Sequence, residues 1–393
     1  MNNLNRTLYY ITRTYLPSKT GGALMRAGAV EHLNRYFNVK VITVGSHTEC
    51  INEVEVIGVP FNHNQRLMFW RERIGFIEDF LLPWAKSVYE YLVDKVTSND
   101  VIFCTTGGEL STIIIGYWLK KHIGCPYVVN FRDPLIYSKV NGIKIDKKFH
   151  VSRERSELKY LSIADLIVTS SKSNEESLKC KYPHLEDRIL NNYFGFVDEC
   201  KVTSTKSSED ILNLVYGGRF GPLQAPEIFA KACMDVKNVN LYFIGDYTSY
   251  KPIWPYTDKF IFLKQMEHSE YQDFLIKHID VGLLSLSSDY LGACVPAKFY
   301  EYINLGLPML GALPNGDARQ LINEKKYGFS CDYRAVEEVR KGIYKFQKKI
   351  FLNSCRNNIM ADRLAWSMET LIQELVTLVS TKNFLVTSRL KIK

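Results

Sequence analysis

The chain has no apolar run long enough to span a bilayer. A spanning helix needs roughly 20 predominantly apolar residues, and no stretch approaches that. An integral helical membrane protein is therefore not expected. No signal peptide is expected either, because the N-terminus is polar and enters a strand at Leu8-Tyr9-Tyr10-Ile11. The nine cysteines are scattered, with no Cys-x-x-Cys pair and no His-rich partner segment. That argues against a zinc site and a disulfide framework, and for a reducing cytosol. Low-complexity tracts and short-period repeats are missing too. So are the Gly-x-Ser-x-Gly elbow, the Walker lysine loop, His-Glu-x-x-His and a clear Gly-x-Gly-x-x-Gly after a strand. No metal is implied.

What is present is a chain of 393 residues, too long for one ordinary core, so two domains are expected. Net charge is +8 and 13% of residues are aromatic. This permits an anionic membrane surface or phosphorylated ligands as partners. Nucleic acid is not expected, because no basic run is interleaved with aromatics in the manner of a strand-binding groove.

Strands and helices alternate nearly throughout, which indicates parallel α/β architecture. Leu8–Thr12 reads as a strand, followed by a loop through Pro17 to Gly21-Gly22 and a helix over Ala23–Tyr36. Further strands are read at Val39–Val44, Val54–Val59, Val101–Cys104, Tyr127–Phe131 and Leu166–Thr169, with Asn191–Phe196 ending this half. Lys201–Asp210 is polar and linker-like. The pattern then restarts with strands at Leu212–Tyr216, Leu241–Ile244, Phe260–Leu263 and Val281–Leu284, and later at Tyr327–Ser330. Two doubly wound domains facing a cleft fit this order.

One segment carries most of the chemistry. Val295-Pro296-Ala297-Lys298-Phe299-Tyr300-Glu301 reads as the opening of a helix, and Gly306-Leu307-Pro308 as the turn into a strand. Proline suits a first-turn position. Free N–H groups at a helix start bind phosphate, and Glu301, a turn further in, is placed to accept from sugar hydroxyls. Asn130-Phe131-Arg132-Asp133-Pro134 sits at the carboxyl end of an expected strand, where parallel sheets bind ligands. Arg132 stays protonated and is no general base; Asp133 is a candidate acceptor for sugar hydroxyls. The alternative is an internal contact between Arg132 and Asp133.

These segments resemble the retaining glycosyltransferases of family 4, whose fold is GT-B. Glu301, Gly306 and Pro308 match that family's Glu-Ala-x-x-x-Gly-x-Pro-like run in register. Phe131-Arg132-Asp133-Pro134 resembles a subgroup associated with bacterial surface polysaccharides: capsule, O-antigen or exopolysaccharide. The resemblance implies two Rossmann-like domains facing a central cleft. Residues 1–198 would bind the acceptor and 199–371 the nucleotide-sugar donor, with a C-terminal helix at about 372–393 returning to the first domain. It implies transfer of a hexosyl or N-acetylhexosaminyl group to a lipid-linked or oligosaccharide acceptor, without a resident cofactor.

Residue by residue, the resemblance gives Gly21 and Gly22 close approach to the donor. It gives Arg219, after Gly217-Gly218, the donor diphosphate, with Lys298 supplying the second charge. Gln265 and Met266 would lie near the base, and Pro296, Ala297 and Glu301 would complete the donor site. Catalysis would fall to Arg132, Asp133 and Lys298. Two positions depart from the pattern: Ala293 stands where many members have a glutamate, and Gln224 where many have a lysine. They sustain one alternative, a catalytically silent GT-B subunit that binds a partner or membrane. A nucleotide-sugar 2-epimerase is another, and it would need carboxylate pairs, for which only Asp133 and Glu109 offer themselves. Segment 64–93 mixes Trp70, Trp84 and arginines and fits either a membrane interface or a helix pair on the sheet. The tail Phe384–Lys393 also mixes apolar and basic residues. A cytoplasmic protein, peripheral on the inner membrane face, is expected.

Overall fold

The computed structural model describes residues 6–18, 20–135, 156–200 and 211–381. The linker-like segment and the C-terminal tail singled out above lie outside them. The chain divides into two compact units, one running to Val197 and resuming at Met368, the other spanning Asp198–Ser367.

The first unit is built on an eight-stranded sheet. Its strands are β1 (Thr7–Ile11), β2 (Asn38–Val44), β3 (Thr48–Ile51), β4 (Val54–Val59), β5 (Val101–Thr106), β6 (Tyr127–Phe131), β7 (Leu166–Thr169) and β8 (Ile189–Asn191). They lie in the order β3-β4-β2-β1-β5-β6-β7-β8, and every pairing is parallel except β3 with β4. All residues of β5, β6 and β7 are buried. A parallel sheet covered on both faces favours such largely apolar strands. Asp165 anchors β6, its Oδ2 accepting from the Tyr127 N–H at 2.8 Å and pairing with Lys120 at 2.9 Å.

The first helix spans Gly21–Leu33, so it opens earlier than Ala23. Thr20 is extended and its hydroxyl accepts from the Ala23 N–H at 3.3 Å, a side-chain cap that places both glycines in the first turn. Helix Met368–Thr381 packs on this helix within the first unit, burying Met368, Ile372 and Leu375 beside Leu8, Val30 and Leu33. Of Asn191–Phe196, only Asn191 is in a strand.

Segment 64–93 resolves into two helices, Gln65–Arg73 and Leu82–Leu92. They have opposite environments. Phe80, Trp84, Val88 and Leu92 belong to the core under the sheet, and the Trp84 indole donates to the Val59 carbonyl at 3.1 Å. That half packs in the core, as the helix-pair reading of 64–93 expects. In the first half, Leu67, Phe69, Trp70, Ile74 and Phe76 are exposed.

The second unit has a six-stranded, wholly parallel sheet: β9 (Leu212–Gly217), β10 (Val239–Ile244), β11 (Ile261–Leu263), β12 (Val281–Ser285), β13 (Met309–Ala312) and β14 (Gly328–Cys331). The order β11-β10-β9-β12-β13-β14 is doubly wound, reversing direction between β9 and β12. Gly282 in β12 lies against the Tyr302 ring, where a Cβ would come within 2.5 Å.

Both crossings of the chain into this unit are tied to one helix end. Asn304, last residue of helix Ala297–Asn304, donates to the Asp198 carbonyl at 2.6 Å and accepts from the Cys200 N–H at 3.1 Å. Arg363 donates to the Asn304 carbonyl at 2.7 Å and to the Cys200 carbonyl.

Candidate functional site

In the second unit the candidates gather where the sheet reverses direction. β9 ends at Gly217, and Gly218 follows at φ +143°, a conformation that favours glycine. The turn after β10 presses on it, because a Cβ on Gly245 would lie 2.5 Å from the Gly218 carbonyl oxygen. Arg219 is exposed here. Its backbone carbonyl accepts from the Tyr216 hydroxyl at 2.7 Å, which fixes the turn while its guanidinium has no partner among the described residues.

Across the reversal, Ala293 ends a short 3-10 turn and Pro296 immediately precedes helix Ala297–Asn304. Pro296 is extended, and no side chain caps the helix start. The first N–H groups of a helix have no partner inside it, so Ala297 and Lys298 offer theirs outward. Lys298 Nζ lies 2.6 Å from Glu301 Oε2 and 3.9 Å from the centre of the Tyr271 ring. Tyr271 is held above Gly217, where any Cβ would collide with its hydroxyl at 2.0 Å. Burial, then the nearby Tyr302 and Glu301, push the Tyr271 hydroxyl well above its ordinary pKa, so it stays protonated.

Glu301 is the centre of this group. Its Oε1 is buried without a hydrogen-bond partner among the described residues, and His268 Nδ1 stands 3.7 Å away, beyond hydrogen-bond range. A buried charged oxygen left unsatisfied is costly. Such an atom marks Glu301 as a candidate to accept from a ligand's donors. His268 was not singled out from sequence, since an exposed histidine opening a helix carries no signal there. Gln265 and Met266 follow β11, with Gln265 exposed and Met266 half-buried. Gln224 lies in a turn whose neighbour Leu223 accepts from the Ser287 N–H at 2.8 Å, so this loop is tied to the end of β12.

The first unit carries the remaining candidates, again where its strand order reverses, between β1 and β5. Arg132 follows β6, donates to the Gly22 carbonyl at 2.7 Å and stacks on Phe194 at 4.7 Å. It thus ties the end of β6 to the start of the first helix. A Cβ on Gly22 would stand 3.5 Å from Nη1 of both Arg132 and Arg26. Arg26 was missed: it reads as one polar residue on a helix, yet it is 7% exposed. Its Nη1 reaches Thr14 Oγ1 at 2.5 Å, and its Nε has no hydrogen-bond partner among the described residues.

Glu109 lies nearby, fully inside the sheet's carboxyl edge, its Oε1 accepting from the Gly107 N–H at 3.2 Å. Desolvation raises its pKa, against a smaller lowering by Arg26. Asp133 Oδ2 points to the same spot over Gly107.

No family model matches the chain, and neither does any curated protein sequence. Solved structures do match over nearly the whole length. The HepE protein of Anabaena, crystallised with UDP and glucose, superposes at a TM-score of 0.69 with 14% identity, covering 96% of this chain and 100% of that one. The α,α-trehalose 6-phosphate synthase of Burkholderia multivorans gives 0.71 with 9% identity, covering 96% of each chain. The lipopolysaccharide outer core galactosyltransferase WaaB gives 0.66 with 11% identity, covering 96% and 99%. At these identities the likeness bears on architecture, and the chain has the GT-B fold, with two Rossmann-like units.

Proposed function

We propose that this chain is a glycosyltransferase that moves a sugar from a nucleoside diphosphate sugar to an acceptor hydroxyl. The observation that carries the reading is the buried, unsatisfied Glu301 Oε1 beside Lys298, on a helix whose N-terminus is uncapped. A carboxylate accepts from a ribose diol, and an uncapped helix start with a lysine and a nearby arginine suits a diphosphate. HepE, bound to UDP and glucose, and WaaB, a galactosyltransferase, support the same reading through the shared fold.

In this reading the unit 198–367 holds the donor. Arg219 and Lys298 neutralise the diphosphate as it leaves, Glu301 holds the ribose, and Gln265 and Met266 line the base. The bond from the anomeric carbon to the diphosphate oxygen breaks, the acceptor oxygen bonds to that carbon, and its proton passes to the departing phosphate. Transfer with retention on one face needs no protein base, which agrees with arginine at position 132. The first unit presents the acceptor, a lipid-linked saccharide of a surface polysaccharide. Exposed Trp70 and Phe76, with Arg71 stacked on Phe76 at 4.8 Å, suit attachment to an anionic bilayer. No described helix is long and apolar enough to cross one.

The test is thermal unfolding of the full chain with UDP, GDP, CDP or ADP. A ligand that binds only the folded state raises its stability. One nucleotide should raise the melting temperature, and Arg219→Ala should abolish the rise without altering the unliganded value, because that side chain is exposed and unpartnered. A folded protein that responds to none of the four sinks the reading.

A further inference from the structure

The end of β5 holds a second arrangement that the donor chemistry does not use. A methyl group placed on Gly107 would lie 3.3 Å from Arg26 Nη2, 3.7 Å from Glu109 Oε2 and 3.9 Å from Asp133 Oδ2. Among the described residues no other atom comes nearer than these three. One small space is therefore bounded by one guanidinium nitrogen and two carboxylate oxygens, each from a different element. Arg26 comes from the first helix, Glu109 from the turn after β5, and Asp133 from the end of β6. The space lies where the strand order reverses, the usual ligand position in such sheets.

Two of the three groups are more than nine-tenths buried, with Glu109 4% and Arg26 7% exposed. Glu109 uses Oε1 on the Gly107 N–H, and Oε2, the atom aimed at the space, has no hydrogen-bond partner among the described residues. Arg26 Nε is likewise unmatched. Buried polar atoms are ordinarily satisfied, so the buried Arg26 Nε calls for a ligand atom that accepts, and the two carboxylate oxygens at the space favour a ligand that also donates.

The mixture of charges selects its class. A phosphate would meet two carboxylates, and a metal cation would meet the guanidinium. A neutral diol meets neither objection: its hydroxyls donate to Glu109 and Asp133 and accept from Arg26. We infer that the space over Gly107 is a saccharide-hydroxyl subsite, in which Glu109 and Asp133 accept from, and Arg26 donates to, hydroxyls of the acceptor sugar. That the sugar is the acceptor rests on the transferase reading; that a sugar binds does not.

Glycine at 107 has a purpose in this reading. Its backbone is not in the left-handed region, and no backbone atom is among the near neighbours of an added Cβ. Alanine therefore meets only side-chain ends, of which Arg26 Nη2 has to give by a few tenths of an ångström, and it occupies the space.

The experiment is saturation-transfer NMR of the full chain with the methyl glycosides of glucose, galactose, mannose and N-acetylglucosamine, run beside the nucleotide melting assay. At least one glycoside should receive saturation from the wild type. Gly107→Ala should lose at least tenfold of that affinity while its nucleotide response is unchanged, and Glu109→Gln should weaken binding with the space left open. Unchanged glycoside binding in both variants overturns the subsite, as does a wild type that responds to a nucleotide and to no glycoside. A protein that binds a glycoside through Gly107 but no nucleotide keeps the subsite and loses the transferase reading.

Discussion

Replacing Glu301 by glutamine separates two effects that the geometry places on one side chain. The carboxylate is 12% exposed, its Oε2 is 2.6 Å from Lys298 and its Oε1 awaits donors. Hydrogen bonds to a charged group contribute about 1.5–3 kcal/mol each, and neutral ones about 0.5–1.5. Two ribose hydroxyls held on Glu301 as proposed would therefore lose about 2–3 kcal/mol together when the charge goes. That is roughly 30- to 150-fold in affinity, at tenfold per about 1.4 kcal/mol. The same change removes the partner of Lys298, which stays over the Tyr271 ring with its charge uncommitted. That charge becomes more available to a diphosphate but means nothing to a nucleoside. Glu301→Gln should thus cost the nucleoside the full factor and the nucleoside diphosphate less. Titration calorimetry of both ligands against both proteins measures the two factors. Equal nucleoside affinity in wild type and variant, or a diphosphate loss larger than the nucleoside loss, would refute the reasoning.

Other consequences are as direct. Burial raises the Glu109 pKa in the folded chain, so between the ordinary glutamate value and the raised one the folded state holds the extra proton. Stability then falls as pH rises through that window. Glu109→Gln should melt like wild type in acid and increasingly above it as pH climbs past the ordinary glutamate range, with melting temperature against pH as the readout. Gly282→Ala drives a methyl into the Tyr302 ring. Overpacking of this kind costs about 1–3 kcal/mol, and denaturant titration should show it in the midpoint of the second unit. Trp70→Ser with Phe76→Ser removes two exposed aromatics. Burying such a side chain is worth about 1.5–3 kcal/mol, so co-sedimentation with anionic vesicles should fall at least tenfold while the melting temperature holds.

Much of the fold was legible because parallel strands buried on both faces are mostly apolar, as β5, β6, β7, β12 and β13 are, with polar residues mainly at their carboxyl ends. Strand β3 was not legible. Thr48-Glu49-Cys50-Ile51 lies at a sheet edge with hardly any burial, so no apolar pattern marks it. Gly21-Gly22 read as a loop because glycine is a poor helix former, but the Thr20 cap outweighs that in a first turn. Trp84 and Trp70 look alike in sequence and differ only in what tertiary packing covers. The residues around Glu301 were readable because they are consecutive on one helix. Arg26, Glu109 and Asp133 come from three separate elements, and only the folded sheet brings them to one point.

The lacing of Asn304 and Arg363 to residues 198–200 has a consequence for how this architecture changes over time. A unit whose entrance and exit are stitched to each other within its own body is a cassette. It can be lifted out and replaced by a different one with two short splices, leaving the host unit's sheet and returning helix intact. Chimeras joined at 197/198 and 367/368 should exchange nucleotide preference as a block, and the stitch travels with the helix that carries Glu301.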